Sequence, residues 1–457
     1  LFEVDLLLVQ PWIYDFSAHD FWLKPYGLLK LGGLLRKKGY TLGFVDLLDP
    51  FHPELPKKPK RKPFGTGFFY KEPIPKPSPF LDVPRRYFRY GLPYPLAKKE
   101  LSKYKPKAVL TSVTMTYWYP GLFALLKLLQ EVFGEIPVFV GGVYVRLLKE
   151  HLQAFLEKEG FSHVFPVECK DFEEAVQLIE EKIKPSGHPY PFDYPIFDLQ
   201  REIPYVVLMT SEGCPYRCPY CASYKLHGGF KAYPTERILE EIIFWHREYK
   251  VVDFAFYDDA LLYDFKNHLK PLLEAIIDLG LKVRFHTPNA IHARFIDEEV
   301  AKLLKLSGFT TVRLGLERME KRFDSKVSID EFISAIHCLR KAGFREDNLG
   351  AYVILGIPYE DYDEVEKTLH FLFELRVQPQ IAEFSPVPRT PFFKLCQEVS
   401  RYPIDEDPIF HNKSVFPAMK KPDWERIQAI KNLAREMRRK LISTSQEAFC
   451  LPRKEGG

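Results

Sequence analysis

Three cysteines lie in the run Ser211-Glu212-Gly213-Cys214-Pro215-Tyr216-Arg217-Cys218-Pro219-Tyr220-Cys221, with the spacing C-x3-C-x2-C. A cubane iron-sulfur cluster has four irons, so three thiolates on one short loop leave the fourth iron open to a ligand from outside the protein. That is the composition of a reactive centre. Structural zinc usually takes four Cys or His ligands in paired knuckles, and no second knuckle accompanies this one. Cys169, Cys338, Cys396 and Cys450 are scattered singly, and His227 is the nearby histidine that would have to complete a tetrahedron. Their scatter also argues against auxiliary clusters, and so against sulfur insertion. A disulfide framework is not expected in so large a chain.

These thiols need a scaffold, and the chain has material for two. It has 457 residues, 46% of them apolar, with a net charge of +4. That length buries two cores, and two domains with a tail are expected. The charge is too mild to argue for nucleic acid. No apolar run approaches membrane-spanning length and no secretory signal is seen, so an oxygen-sensitive cluster and unpaired thiols favour the cytoplasm. Gly-x-Ser-x-Gly and the P-loop are both missing, which leaves nucleophilic hydrolysis without support.

The expected fold class is α/β. Residues 1–185 alternate strand and helix: strands over 4–9, 41–47, 108–113 and 138–140, helices over 26–38 and 122–132. This pattern predicts a Rossmann-like doubly wound sheet, which binds ligands at the carboxyl ends of its strands. At two of those ends stand Ser112-Val113-Thr114, with hydroxyls, and Gly141-Gly142, with no side chains to keep a ligand off the backbone. Tyr117-Trp118-Tyr119-Pro120 follows the first of these as either a flat resting surface or interface packing.

Residues 50–105 interrupt the pattern with Pro, Lys, Arg and aromatics, including Lys57-Lys58-Pro59-Lys60-Arg61-Lys62-Pro63. A solvated basic loop is one reading; recognition of an anionic substrate, whether phosphorylated metabolite, lipid headgroup or RNA, is the other. A linker is placed at 186–200. Residues 201–400 then offer six strands, at 205–209, 251–257, 283–286, 311–316, 351–355 and 380–384, separated by helical segments. Six such units suit a partial (β/α)6 barrel with its chemistry at the carboxyl strand ends. The tail, 401–457, reads as a helical cap.

The cysteine loop, with an aromatic residue at Tyr220 before its last cysteine, resembles the signature of the radical S-adenosylmethionine (SAM) enzymes. The resemblance implies that SAM chelates the open iron, that an electron cleaves its sulfonium, and that a 5'-deoxyadenosyl radical then abstracts hydrogen. It also implies roles at the strand ends. Tyr220 would lie near the adenine. Asp258 or Asp259, where the family carries a Gly-Gly-Glu-like motif, would receive the methionine amino group. His286 and Glu317 would contact SAM, and Gly356, in Leu355-Gly356-Ile357-Pro358, would form the turn against adenine.

Residues 1–185 in turn resemble the cobalamin-binding domain that precedes many radical SAM domains. This implies that Ser112, Thr114, Tyr117, Trp118, Gly141 and Gly142 face cobalamin. The D-x-H-x-x-G motif is absent and His19 does not fit it, so the cofactor would be held without a protein ligand to cobalt. A Rossmann-like domain that binds nothing is the alternative. Taken together, the resemblances imply a cobalamin-dependent radical SAM enzyme with a 4Fe-4S cluster, acting as a C-methylase of an unactivated carbon. It would draw on a reductant such as flavodoxin or ferredoxin and act on a substrate the sequence does not identify. A radical SAM cyclase, rearrangement or carbon-carbon bond-forming enzyme is the alternative within the class. An iron-sulfur or corrinoid-binding sensor is the alternative outside it.

Overall fold

Leu6, Leu7, Leu8 and Val9 have no exposed surface. They form the middle of strand β1 (Phe2–Gln10), a continuous apolar run of the kind that parallel strands show when both faces are covered. The computed structural model describes residues 1–320 and 326–450. Its chain divides into two units: 1–204 with 402–415, and 205–401 with 416 onward.

In the first unit β1 is followed by β2 (Ile13–Asp15), α1 (Tyr26–Lys37), β3 (Leu42–Asp46), β4 (Lys71–Pro73), β5 (Phe88–Tyr90) and α2 (Tyr94–Leu101). After them come β6 (Tyr104–Ser112), α3 (Tyr119–Phe133), β7 (Val138–Gly141), α4 (Val143–Glu159), β8 (Val164–Pro166) and α5 (Phe172–Lys182). The main sheet has the order β3-β1-β6-β7-β8 with every neighbour parallel. The direction of winding reverses between β1 and β6, and the crevice at such a reversal is where doubly wound sheets take ligands.

The interruption at 50–105 is not the solvated loop that its cations suggested. Strands β2, β5 and β4 make a small antiparallel sheet, and the rings of Phe80 and Tyr87 pack edge-on against Phe16 at centroid distances of 5.7 and 5.0 Å. The aromatics between the charges supply the apolar surface that a solvated loop lacks. Lys57, Lys58, Lys60 and Lys62 stay exposed, whereas Arg61 and Arg89 pair with Asp20 and Glu72.

The second unit opens with β9 (Val206–Leu208), the short hairpin strands β10 (Ser211–Glu212) and β11 (Lys231–Ala232) around α6 (Ser223–Leu226), and α7 (Thr235–Tyr249). It continues with β12 (Asp253–Phe256), α8 (Leu269–Asp278), β13 (Arg284–His286), α9 (Glu298–Leu306), β14 (Phe309–Glu317), α10 (Ile329–Lys341), β15 (Leu349–Leu355), α11 (Tyr362–Glu374), β16 (Gln378–Glu383), α12 (Pro391–Val399) and α13 (Trp424–Cys450). Strands β9, β12, β13, β14, β15 and β16 lie side by side in chain order, all parallel. Side-chain caps start the helices between them: Asp297 for α9, a Ser328–Glu331 capping box for α10 and Asp361 for α11. Each cap satisfies N–H groups left over by the first turn.

The tail expected as a single cap over 401–457 divides. Residues 402–415 belong to the first unit. There the His411 ring bonds Thr116 Oγ1 at 2.9 Å and Asn412 Nδ2 donates to buried Asp15 at 3.0 Å. Such buried polar groups need fixed partners, which ties this segment down. Helix α13 packs in the second unit, where Arg438 Nη1 donates to the Pro379 carbonyl of β16. No helix of the described residues is long and apolar enough to cross a membrane.

Candidate active site

Strand β9 leads straight into the cysteine loop, which sits at the carboxyl end of the barrel's first strand. Gly213 holds φ at +76°, and a Cβ there would stand 2.3 Å from the Gly229 carbonyl oxygen. Only glycine fits the entry to the loop. Cys214, Cys218 and Cys221 are half-buried, with Cys221 N bonded to Cys218 O at 3.0 Å. On its far side the loop is pinned by Phe392 N, which donates to Pro219 O at 3.0 Å. Burial pushes the Cys214 and Cys221 thiols up; N–H groups of Tyr216 and Ser223 respectively pull them down, Asp259 pushes both up, and Lys326 pulls both down. N–H donors aimed at sulfur and a nearby ammonium suit thiolate ligands of a metal cluster.

The two neighbouring aspartates after β12 have different fates. Asp258 is buried, and its Oδ1 accepts from Thr210 N at 3.0 Å, Thr210 Oγ1 at 2.7 Å and Ser211 Oγ at 2.6 Å. Burial pushes its carboxyl up, against these hydrogen bonds. Asp258 therefore anchors the start of the cysteine loop. Asp259 is half-buried and accepts from Ser223 Oγ at 2.5 Å, and it acts electrostatically on Cys214 and Cys221.

Glu317 ends β14 with φ at +63°, a left-handed conformation that costs a non-glycine residue on the order of 1–2 kcal/mol. A register shift between Gly315 and Glu317 accompanies it. Its Oε1 pairs with Lys326 Nζ at 2.7 Å, and the same ammonium reaches the Tyr220 hydroxyl at 3.3 Å. Lys326 thus joins two residues singled out from sequence, Glu317 and Tyr220, to the surroundings of the thiols. Nothing in its sequence context marks it.

Gly356 adopts φ of +100°, and a Cβ there would stand 2.6 Å from the ring of Phe416. Its N–H donates to Glu360 Oε2 at 2.5 Å, and Glu360 Oε1 accepts from Arg318 Nη2 at 2.5 Å. Arg318 also donates to Ile354 O at 2.9 Å and to Glu364 Oε2 at 3.0 Å. Arg318 and Glu360 therefore lock the ends of β14 and β15 to each other, a link the sequence did not show.

His286 does not join this group. It is fully buried, with Nε2 at 2.9 Å from Asp253 Oδ1 and Nδ1 at 2.9 Å from Thr311 Oγ1. Asp253 opens β12, so the imidazole bonds toward the amino end of the barrel, and burial pushes its pKa down. It is a satisfied interior histidine. Asn289, in the same loop, donates to Tyr257 O at 2.8 Å and ties the ends of β12 and β13.

In the first unit, Ser112 and Gly141 are register partners at the ends of β6 and β7. Ser112 is half-buried and Thr114 exposed. Beside Gly141 there is open space, the nearest atom to a Cβ being 4.0 Å away, whereas Gly142, at φ +96°, would put a Cβ 2.4 Å from the Val113 carbonyl oxygen. Gly142 is thus required by the chain itself. Tyr117 and Trp118 are packed inside, Trp118 Nε1 donating to Asp15 Oδ2 at 2.8 Å, so they present no flat exposed surface. Two further residues come forward at the reversal between β1 and β6: Gln10 Oε1 and Thr111 Oγ1 are buried with no hydrogen-bond partner among the described residues. Orphaned polar atoms of this kind mark a place for a ligand or ordered water.

A C-x3-C-x2-C loop after the first of six parallel strands is the arrangement that resembles the radical SAM enzymes, and residues 208–372 match the model of the Radical SAM superfamily. The chain carries a Radical SAM domain. Among curated proteins it is similar to an uncharacterized methyltransferase of Pyrococcus horikoshii, 30% identical over 221 residues that make up 47% of this chain and 46% of that protein. It is also similar to the hopanoid C-3 methylase of Methylococcus capsulatus, 24% identical over 39% of this chain and 34% of the methylase. The chain spans less than half the length of these relatives. Among solved structures, TsrM from Kitasatospora setae, a radical S-adenosylmethionine methyltransferase, was seen with tryptophan substrate and a SAM analog, and with cobalamin and a [4Fe-4S] cluster. The first of these covers 90% of this chain and 82% of TsrM with a TM-score of 0.61 at 14% identity. At that identity the likeness is one of fold.

Proposed function

We propose that the chain is a cobalamin-dependent radical SAM enzyme that methylates an unactivated carbon. The observation carrying this reading is the convergence of Asp259, Lys326, Glu317 and Tyr220 on a three-cysteine loop, in a chain that also holds a Rossmann-like unit with orphaned polar atoms at its sheet reversal. The names of the relatives agree with methyl transfer. When bound, an iron-sulfur cluster with SAM supplies a radical able to take hydrogen from carbon, and a corrinoid supplies the methyl group.

The protein's own groups do the holding. Cys214, Cys218 and Cys221 ligate the cluster, stabilised as thiolates by the N–H groups of Tyr216 and Ser223. Asp259 would accept hydrogen bonds from the methionine amino group, which offers only N–H donors once its lone pair is used. Lys326 would offer its ammonium to the methionine carboxylate, and Glu317 would offer an acceptor to the ribose. The Gly356 turn, held by Glu360, supports the adenine. In the first unit Gln10, Thr111 and Ser112 offer polar partners to a corrinoid tail, and Gly141 leaves room for it. An external reductant such as flavodoxin or ferredoxin supplies electrons.

Anaerobic reconstitution with iron, sulfide, SAM, a corrinoid and reductant tests the reading. It predicts 5'-deoxyadenosine formation, corrinoid retained through gel filtration, and a product one methylene unit heavier than its substrate. Deoxyadenosine without bound corrinoid would leave a cyclase, rearrangement or carbon-carbon bond-forming enzyme, and no deoxyadenosine would leave a sensor.

A further inference from the structure

A cavity of about 210 Å³ lies at the carboxyl end of β3, lined wholly by residues of the first unit. Its wall includes Asp46, the last residue of β3, Lys24 just ahead of α1, Gln200, and the rings of Phe51 and Tyr104. Asp46 Oδ1 accepts from Leu48 N at 2.9 Å, and its carboxylate makes no other hydrogen bond to the described residues. Gln200 Oε1 accepts from Lys24 Nζ at 2.8 Å, which leaves Gln200 Nε2 buried with no partner among the described residues. The cavity therefore presents an acceptor in want of donors and a donor in want of an acceptor.

The remaining charges narrow the occupant. Asp49 and Glu100 also line the space, held by Arg201 at 2.9 and 3.8 Å. Carboxylates outnumber cations in the lining, which disfavours phosphate. No glycine lies between Gln10 and Tyr26 to form a phosphate-cradling turn ahead of α1. A neutral molecule with adjacent hydroxyls and a flat apolar part suits the wall. An acid at the end of the second strand, beside β1, is also where Rossmann-like sheets take the hydroxyls of a ribose.

We propose that this cavity is a nucleoside site: Asp46 accepts from the ribose 2'- and 3'-hydroxyls, Gln200 Nε2 donates to a sugar oxygen, and the base packs against Phe51 and Tyr104. The site excludes nucleotides and is built from the first unit alone, so it stands whether or not the radical chemistry does.

Titration calorimetry of the full chain with adenosine, adenosine monophosphate and 2',3'-dideoxyadenosine tests this. Adenosine should bind one-to-one, with the monophosphate and the dideoxy analogue weaker by about tenfold or more. Asp46→Asn and Gln200→Leu should each weaken adenosine by a similar factor while circular dichroism and melting report a folded chain; Lys282→Ala, at an exposed position of the barrel unit, should not. No heat with adenosine at millimolar concentration, equal binding of the dideoxy analogue, or full retention of adenosine binding in folded Asp46→Asn and Gln200→Leu variants would overturn the proposal. Should one cavity variant unfold, the other and the dideoxy comparison still decide.

Discussion

Asp258 takes both the N–H and the hydroxyl of Thr210, at 3.0 and 2.7 Å, and so fixes the backbone four residues ahead of Cys214. Its neighbour Asp259 touches Ser223 on the other side of the cysteines. Two adjacent carboxylates thus serve one loop in different ways. Asp258→Asn would turn an amide donor toward the donors it now satisfies, and should cost about 1–3 kcal/mol in chemical denaturation. Asp259→Asn should stay within about 0.5 kcal/mol of wild type and instead weaken SAM, as read by equilibrium dialysis. Equal stability losses in both would remove the distinction.

The pair of Lys326 and Glu317 makes a different prediction. The ammonium pulls Cys214 and Cys221 down, so it favours added negative charge on whatever the thiolates hold. Lys326→Met should move the midpoint potential of the reconstituted cluster to more negative values in an electron-paramagnetic-resonance redox titration. An unchanged potential would mean that solvent screens the ammonium from the thiols.

How far such relationships can be read from sequence depends on the range over which they act. The six barrel strands announce themselves because each is a short apolar run bounded by turn residues, and β14 differs from expectation mainly in reaching back to Phe309 and out to Glu317. The cysteine spacing is local and survives intact. Strands β2, β4 and β5 stay hidden because each has three residues and its pairing, such as Asp15 with Phe88, joins distant segments. Strand β8 is equally short and ends in Pro166. Lys326 belongs to no pattern until folding brings it to Glu317. Gln10 and Thr111 sit in apolar strands, where their polarity becomes informative only once burial without partners is known. Tyr117 and Trp118 show the reverse: a conspicuous aromatic run that the fold uses for packing.

The Gly356 turn should respond to size and to support in separable ways. Gly356→Ala meets the Phe416 ring and a positive φ at once, a combination that should cost about 1–3 kcal/mol. Glu360→Gln keeps the shape but weakens the charged acceptor of Gly356 N–H and Arg318. It should raise the Kd for SAM more than it lowers the melting temperature. Unchanged SAM affinity would detach this turn from the cofactor.

The two glycines after β7 can be told apart. Gly142→Ala clashes with the Val113 backbone and should destabilise the first unit, seen as a lower melting temperature. Gly141→Leu enters open space, so the chain should fold normally and lose corrinoid absorbance after gel filtration. Full corrinoid retention in a folded Gly141→Leu variant would place that cofactor elsewhere.

Asp46 supplies a pH test that needs no ligand. Burial pushes its carboxyl up to about 7, Lys24 draws it back and Asp49 and Asp20 add to the rise. An unfolded aspartate titrates near about 3.9. Between those values the folded chain holds a proton that the unfolded chain has released, so this group's contribution to stability is full below the lower value. It is lost progressively as pH rises through the folded value, and it levels off above it. Asp46→Asn has no such group. The melting temperature of wild type minus that of the variant should therefore fall from about pH 4 to about pH 7 and then stay level. A difference flat across that range would show Asp46 ionising as it does in the unfolded chain, with water reaching its carboxylate.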